Sequence, residues 1–203
     1  MFMSDMSLNE NLSSTPEDRR ELMDLVERMQ SAFTTLAKSK VPTIALAHGF
    51  CIGGATSLVS ACDIRLATKD AKFSIGETKL GLVADVGVIQ RMPKIVSSGD
   101  MNELALTGRI FDGEHAEKIR FVSKAYENSD DLFEAGEKLA NEISSNSKRI
   151  VQATKEALEK SSNLTVDQGL EYAKLWSTSF LVSEDLREGV MAFLEKRDPK
   201  FNE

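Results

Sequence analysis

The chain has 203 residues, 41% of them hydrophobic, and a formal net charge of -7. That length and apolar content suffice for one single-core domain, and the acidic balance without a basic cluster argues against nucleic acid as a partner. No apolar run approaches the ~18 residues of a membrane span, and the start, Met1-Phe2-Met3-Ser4-Asp5, lacks the basic and apolar regions of a secretory signal.

Met1–Ser13 is polar and aperiodic and reads as a loop or frayed arm. Thr15 then reads as an N-cap, with Pro16 at the first helical position and Glu17 and Asp18 in the first turn. Leu22, Leu25, Val26, Met29, Phe33 and Leu36 follow at helical spacing, so an amphipathic helix is expected to end near Lys38 and to pack beside a strand at Thr43–Ala47. Gly49 and Gly53-Gly54 break the chain before a helix over Ala55–Ala61. Asp63–Ala67 and Lys72–Ile75 read as short strands. A short helix is expected at Val86–Met92, stopped by Pro93, and another at Met101–Leu106, closed by Gly108. Asp112 caps the segment beginning at Gly113, and Phe121-Val122 reads as a small strand or extended piece. From Asp131 onward four helical patterns follow, marked by Leu132–Ile143, Ile150–Leu158, Val166–Phe180 and Leu186–Leu194. The expected organisation is an αβ part over 1–130 and an α-helical region over 131–203.

Val41–Lys94 is the stretch with chemical content. A strand feeding a glycine turn feeding a helix aims backbone N–H groups at one point, backed by the positive end of the helix dipole. Such a place can hold an anion, or an oxygen that becomes one during a reaction. Glu77 and Asp85 follow closely in sequence. Glu77 reads either as a proton-transfer carboxylate beside an apolar pocket or as a solvated strand-end glutamate. Asp85 lies among Leu82, Val83, Ala84, Val86 and Gly87, so it must be paired, protonated or functional; capping the Val86–Met92 helix is the competing role. Cys51 and Cys62 lack metal spacing and His48 and His115 are far apart, so no zinc site is expected. Both cysteines read as reduced and packed in a core.

The stretch resembles the crotonase superfamily of enoyl-CoA hydratases and isomerases through Pro42-Thr43-Ile44-Ala45, His48-Gly49, Gly53-Gly54, Ala61-Cys62-Asp63-Ile64-Arg65, Phe73, Glu77, Gly81-Leu82 and Gln90-Arg91. Gly81–Gly87 gives it the look of the Δ3,5-Δ2,4-dienoyl-CoA isomerase branch. The resemblance implies an α/β fold with a ββα spiral core and a helical C-terminal region that forms a homotrimer or dimer of trimers. It implies an acyl-CoA thioester as substrate, with no cofactor beyond the coenzyme A that the substrate carries. It assigns the thioester oxygen to the Gly54 N–H, the C2 proton to Glu77 and the far end of the diene to Asp85. Ser57, Phe193 and Lys196 become candidate substrate-binding residues, the latter two toward adenosine; the plainer readings are a core-edge or helix-surface serine, a core phenylalanine and a solvated lysine.

Two departures follow from the same comparison. Hydratases carry a second glutamate, and dienoyl isomerases an aspartate, where this chain has Ser57, so hydration by two carboxylates is not expected. Family members also carry a strand-turn-helix portion, with a second oxyanion donor, ahead of the point where this chain begins. The expected activity is therefore isomerisation of 3,5-dienoyl-CoA, impaired in this 203-residue chain. The alternatives are another activity of the same family, namely hydration or Δ3,Δ2 isomerisation, or a short form that binds acyl-CoA without turnover. The resemblance implies a mitochondrial or peroxisomal setting, although the chain shows no address for either; its end, Phe201-Asn202-Glu203, is not of the Ser-Lys-Leu type.

Overall fold

The computed structural model describes residues 15–201; the arm read over Met1–Ser13 lies outside the described residues. The chain divides into two units, the first comprising the chain up to Ser39 with Thr43–Gly136, the second Lys40–Pro42 with Glu137–Glu203.

In the first unit, helix α1 runs Pro16–Ala37. Thr15 closes its start reciprocally: its hydroxyl accepts from the Asp18 N–H and the Asp18 carboxylate accepts from the Thr15 N–H, both at 3.2 Å. The helix lies against α2, Gly54–Ala61. Its apolar stripe, Leu25, Val26, Met29, Phe33 and Leu36, is half-buried and no residue of it is fully buried.

The strands form two three-stranded sheets. The chain deposits one strand in each sheet, then a helix, and repeats. β1 (Ile44–Ala47) is followed by β2 (Phe50–Ile52) and α2; β3 (Ile64–Thr68) is followed by β4 (Lys72–Ser74). β3 pairs in parallel with β1, Ile44 opposite Ile64, and β4 pairs in parallel with β2, Cys51 opposite Phe73. Then come α3 (Val88–Arg91), α4 (Ser98–Thr107), β5 (Phe111–Asp112), α5 (Gly113–Lys118), β6 (Lys124–Tyr126) and α6 (Ser129–Ser144). β6 completes the first sheet parallel to β3, and β5 completes the second antiparallel to β4. Between the sheets Phe73 stacks on Phe111 and meets Phe121 edge-on, both at 5.5 Å between centroids. All three rings are buried. Arg65 ties the layers together, donating from Nε to the Phe121 carbonyl at 2.7 Å and from Nη1 to the Cys62 carbonyl at 2.6 Å, where α2 ends. Burial pulls this guanidinium below its ordinary value.

Three expectations need correction. Phe121-Val122 is not a strand. Both N–H groups bond back to the Ala116 carbonyl, at 2.8 and 3.2 Å, after Arg120 takes a left-handed φ of 66°. This turn closes α5 and drops both side chains into the core, and the strand starts at Lys124. Helix α3 begins at Val88, later than expected, because Gly87 with φ 117° occupies the position before it. Of the cysteines, Cys51 is buried, which pushes its thiol up, while Cys62 is only half-buried; neither forms a disulfide.

One glycine is fixed by sterics. A Cβ on Gly113 would stand 1.9 Å from the Thr68 carbonyl oxygen, so the start of α5 can press on the end of β3 only without a side chain.

The second unit contains α7 (Lys148–Ser161), α8 (Val166–Thr178) and α9 (Glu184–Glu195), capped by the hydroxyls of Ser147, Thr165 and Ser183. Trp176 of α8 donates from its indole to the Ala153 carbonyl of α7 at 3.0 Å. Ser147 donates to Asp185 at 2.7 Å, joining the starts of α7 and α9. Among the described residues no helix is long and apolar enough to cross a membrane.

Candidate active site

The Gly53-Gly54 turn links β2 to α2. Gly53 has φ 58° and ψ -117°, a combination outside the regions open to L-residues. Its N–H donates to the Ser74 carbonyl at 2.9 Å, which anchors the turn to β4. Gly54 is the first residue of α2. Its N–H has no carbonyl one turn back to receive it, and among the described residues it makes no backbone bond outside the helix. A Cβ on Gly54 would meet nothing within 4 Å, so the space around this residue is open.

Glu77 reaches the same turn from a 3-10 segment, Gly76–Leu80, that follows β4. Its Oε1 lies 3.4 Å from where a Cβ on Gly53 would stand. Its Oε2 is buried and has no hydrogen-bond partner among the described residues. Pairing of β2 with β4 brings these groups together: the chain leaves β2 into the glycine turn and leaves β4 into Glu77, side by side. The half-buried Glu77 is not the fully solvated strand-end glutamate of the plainer reading.

Ser57 is on α2, its N–H donating to the Gly53 carbonyl at 3.1 Å. It is fully buried, which removes the helix-surface reading. Asp85 differs from expectation. It is exposed, not enclosed by its apolar neighbours: Leu82 and Val83 point outward at 47% and 78% exposure, while Ala84 and Val86 turn inward. It does not cap α3, whose N-cap is Gly87 with no side-chain bond. Gly87 separates the two, leaving Asp85 on a loop.

What holds that loop was not visible in the sequence. Gln30 of α1 donates from Nε2 to the Asp85 carbonyl at 2.6 Å. Arg91 donates to the Val86 carbonyl at 3.3 Å and to the Thr34 hydroxyl at 3.1 Å, bracing the same loop against α1. Burial lowers the Arg91 guanidinium. Arg91 stood among the matching residues without a role, and nothing in the pattern of α1 singles out Gln30 or Thr34.

Phe193 and Lys196 belong to the second unit. Phe193 is 82% exposed, so the core reading fails; it stands at an apolar cavity lined by Ile150, Ala153, Trp176, Phe180 and Leu186. Lys196 is exposed and ends α9 in a left-handed conformation, φ 55°. Among the described residues no cluster of His, Cys, Asp or Glu could hold a metal ion.

A glycine turn with an unused helix-start amide and a carboxylate packed on it can receive a developing oxyanion and exchange a proton beside it. Comparison with known proteins gives it a family. The chain belongs to the enoyl-CoA hydratase/isomerase family, whose pattern matches residues 2–203. It is similar to the mitochondrial Δ(3,5)-Δ(2,4)-dienoyl-CoA isomerase of Dictyostelium discoideum, 45% identical over 93% of this chain and 64% of that protein. It is also similar to the peroxisomal Δ(3,5)-Δ(2,4)-dienoyl-CoA isomerase of Arabidopsis thaliana, 40% identical over 93% of this chain and 69% of that protein. The chain thus spans about two thirds of the length of these relatives. Among solved structures, an enoyl-CoA hydratase from Bacillus anthracis superposes with a TM-score of 0.85 at 28% identity, covering 96% of this chain and 74% of that one. The fold is the crotonase fold, a mixed α/β core with a helical C-terminal region.

Proposed function

We propose that the chain acts on acyl-CoA thioesters and moves the double bonds of 3,5-dienoyl-CoA to the 2,4 positions. The observation that carries this is Glu77, packed on Gly53 with one buried oxygen unpaired, next to the free amide of Gly54. Removing a proton alpha to a thioester puts negative charge on the thioester oxygen. A fixed N–H at that oxygen stabilises the transition state more than the ground state. In this reading Glu77 takes the C2 proton, the electron pair spreads into a dienolate, and Asp85, entering the step as the carboxylic acid, delivers its proton at C6; solvent then takes the proton from Glu77 and returns one to Asp85. The net change is one proton lost at C2 and one gained at C6. Asp85 stands on a loop braced by Gln30 and open to solvent. No separate cofactor enters, because coenzyme A is part of the substrate.

The similarity to dienoyl-CoA isomerases at 45% and 40% identity supports this choice over hydration, as does Ser57 in place of a second carboxylate. We extend to this chain the mitochondrial or peroxisomal setting in those relatives' names, and a homotrimer or dimer of trimers. In favour of assembly, α8 and α9 expose Leu170, Leu175, Val190, Phe193 and Leu194 at 49–82%.

Absorbance assays with 3,5-dienoyl-CoA and 2-enoyl-CoA test the reading. Isomerisation without appreciable hydration is expected, and Asp85→Asn is expected to abolish isomerisation with the fold intact. Hydration rivalling isomerisation, or unchanged turnover in Asp85→Asn, overturns the assignment.

A further inference from the structure

The buried hydroxyls of α2 are not all treated alike. Thr56 donates to the carbonyls of Cys51 and Ser74, the latter at 3.0 Å. Ser60 donates to the Ser57 carbonyl at 2.7 Å, the ordinary way a helical serine hides its hydroxyl. Ser57 does neither. It is 0% exposed, and its Oγ has no hydrogen-bond partner among the described residues. Two other buried oxygens in the same unit share that condition, Oγ1 of Thr68 at the end of β3 and Oε2 of Glu77, and of these Glu77 stands at the glycine turn that opens α2.

Oγ of Ser57 and Oε2 of Glu77 belong to groups that converge on Gly53. The Ser57 N–H bonds to the Gly53 carbonyl at 3.1 Å, so Ser57 stands one helical turn beyond it. A helical Cβ leans toward the N-terminus of its helix, which here means toward Gly53. Glu77 approaches Gly53 with its Oε1 3.4 Å from the Cβ position. A buried hydroxyl and a buried carboxylate oxygen are each costly to leave unpaired. Their chemistry is complementary, since the hydroxyl can donate and the carboxylate can only accept. They make no direct bond, and a single group that both accepts and donates would satisfy the two together.

We propose that one buried water joins Ser57 to Glu77. The Ser57 hydroxyl donates to the water, and the water donates to Oε2. This spends Oε2 on the protein and leaves Oε1, on the Gly53 side, as the oxygen that exchanges protons with substrate. Ser57 is then a positioning residue that acts through Glu77, and not a group that touches substrate. The inference rests on the reading of Glu77 given above. It also explains how a serine serves where a carboxylate would add a second negative charge beside Glu77.

The experiment follows deuterium exchange at C2 of a saturated acyl-CoA in D2O, which reports the Glu77 proton transfer whether or not a double bond moves. It uses the 203-residue chain with its Glu77→Gln and Ser57→Ala variants. Glu77→Gln is expected to abolish exchange. Ser57→Ala is expected to slow it about tenfold with the acyl-CoA concentration for half-maximal rate little changed. It is also expected to move the acid limb of the pH–rate profile to higher pH, because the ionised carboxylate has lost a donor. If Glu77→Gln abolishes exchange while Ser57→Ala keeps the wild-type rate and profile, the inference falls and the reading of Glu77 stands. If the wild-type chain does not exchange, or Glu77→Gln exchanges as fast, the reading falls and the inference with it. Should Ser57→Ala fail to fold, a high-resolution crystal structure of the wild-type chain decides. An ordered water within about 3.2 Å of both Ser57 Oγ and Glu77 Oε2 supports the proposal, and density showing none overturns it.

Discussion

Replacing Gly54 by alanine should separate stability from activity, and replacing its neighbour Gly53 should do the reverse. Gly54 is the first helical residue of α2 and a Cβ there meets nothing within 4 Å. Alanine therefore fits. In a helix interior it is favoured over glycine by ~0.8–1.0 kcal/mol, and the first turn realises part of that, so Gly54→Ala should be no less stable than the parent. The methyl nevertheless occupies the open space beside the free amide, where the thioester oxygen is proposed to sit. If the oxygen is kept from the N–H, the loss approaches that of one oxyanion donor, ~2.7–4 kcal/mol or roughly 10²–10³ in rate. Gly53→Ala works through the backbone. Its φ of 58° and ψ of -117° lie outside the regions open to alanine, which costs ~1–3 kcal/mol. The new Cβ would sit 3.4 Å from Glu77 Oε1, an ordinary contact, so the penalty comes from the backbone and not from a clash. With a urea m-value of ~1–3 kcal/mol/M, the midpoint should fall by about 1 M. Urea unfolding and C2 deuterium exchange, run on both variants, read the two effects. Gly54→Ala with parental exchange and parental stability would refute the assignment of the amide to the thioester oxygen. Gly53→Ala with an unchanged midpoint would refute the conformation of the turn.

Gly113→Ala places a Cβ 1.9 Å from the Thr68 carbonyl oxygen; a loss of ~1–3 kcal/mol or more is expected, and an unchanged urea midpoint would contradict the close approach of α5 to β3. In the second unit, Arg197 grips Glu188 through two hydrogen bonds, at 2.6 and 3.1 Å, and the Lys200 N–H adds a third at 2.7 Å. The Arg197 bonds first, then the Lys200 N–H, hold the Glu188 carboxyl down at about 2. A carboxyl lower in the folded than in the unfolded chain stabilises above the unfolded value, and that contribution fades as pH falls toward about 2. Hydrogen exchange at the Lys200 amide should therefore be protected at neutral pH, lose protection toward pH 2, and be unprotected throughout in Glu188→Ala; equal protection in parent and variant at neutral pH would remove the tether. Light scattering at micromolar concentration should show an assembly of three or six chains, and a monodisperse monomer would count against the proposed use of α8 and α9.

Local interactions are what the sequence by itself determined. The Thr15-Pro16-Glu17-Asp18 cap, the strand–glycine–helix order around Gly53-Gly54, the Gly108 stop, the Asp112 cap and four helices after residue 128 all depend on neighbours within about one turn, and all appear in the structure. The family was legible for a similar reason, since its residues fall in one continuous stretch. Strands β2 and β5, at three and two residues, are too short to show a period; they exist because β4 lies between them. Phe121-Val122 has strand composition, yet hydrogen bonds to Ala116 hold it in a turn. Asp85 has apolar neighbours in sequence but not around it in space, because Leu82 and Val83 turn outward. The brace from Gln30 and Arg91, the contact of Glu77 with Gly53, and the unpaired hydroxyl of Ser57 join groups that sequence periodicity does not relate. Only the pairing of β2 with β4 and the packing of α1 against α2 decide them.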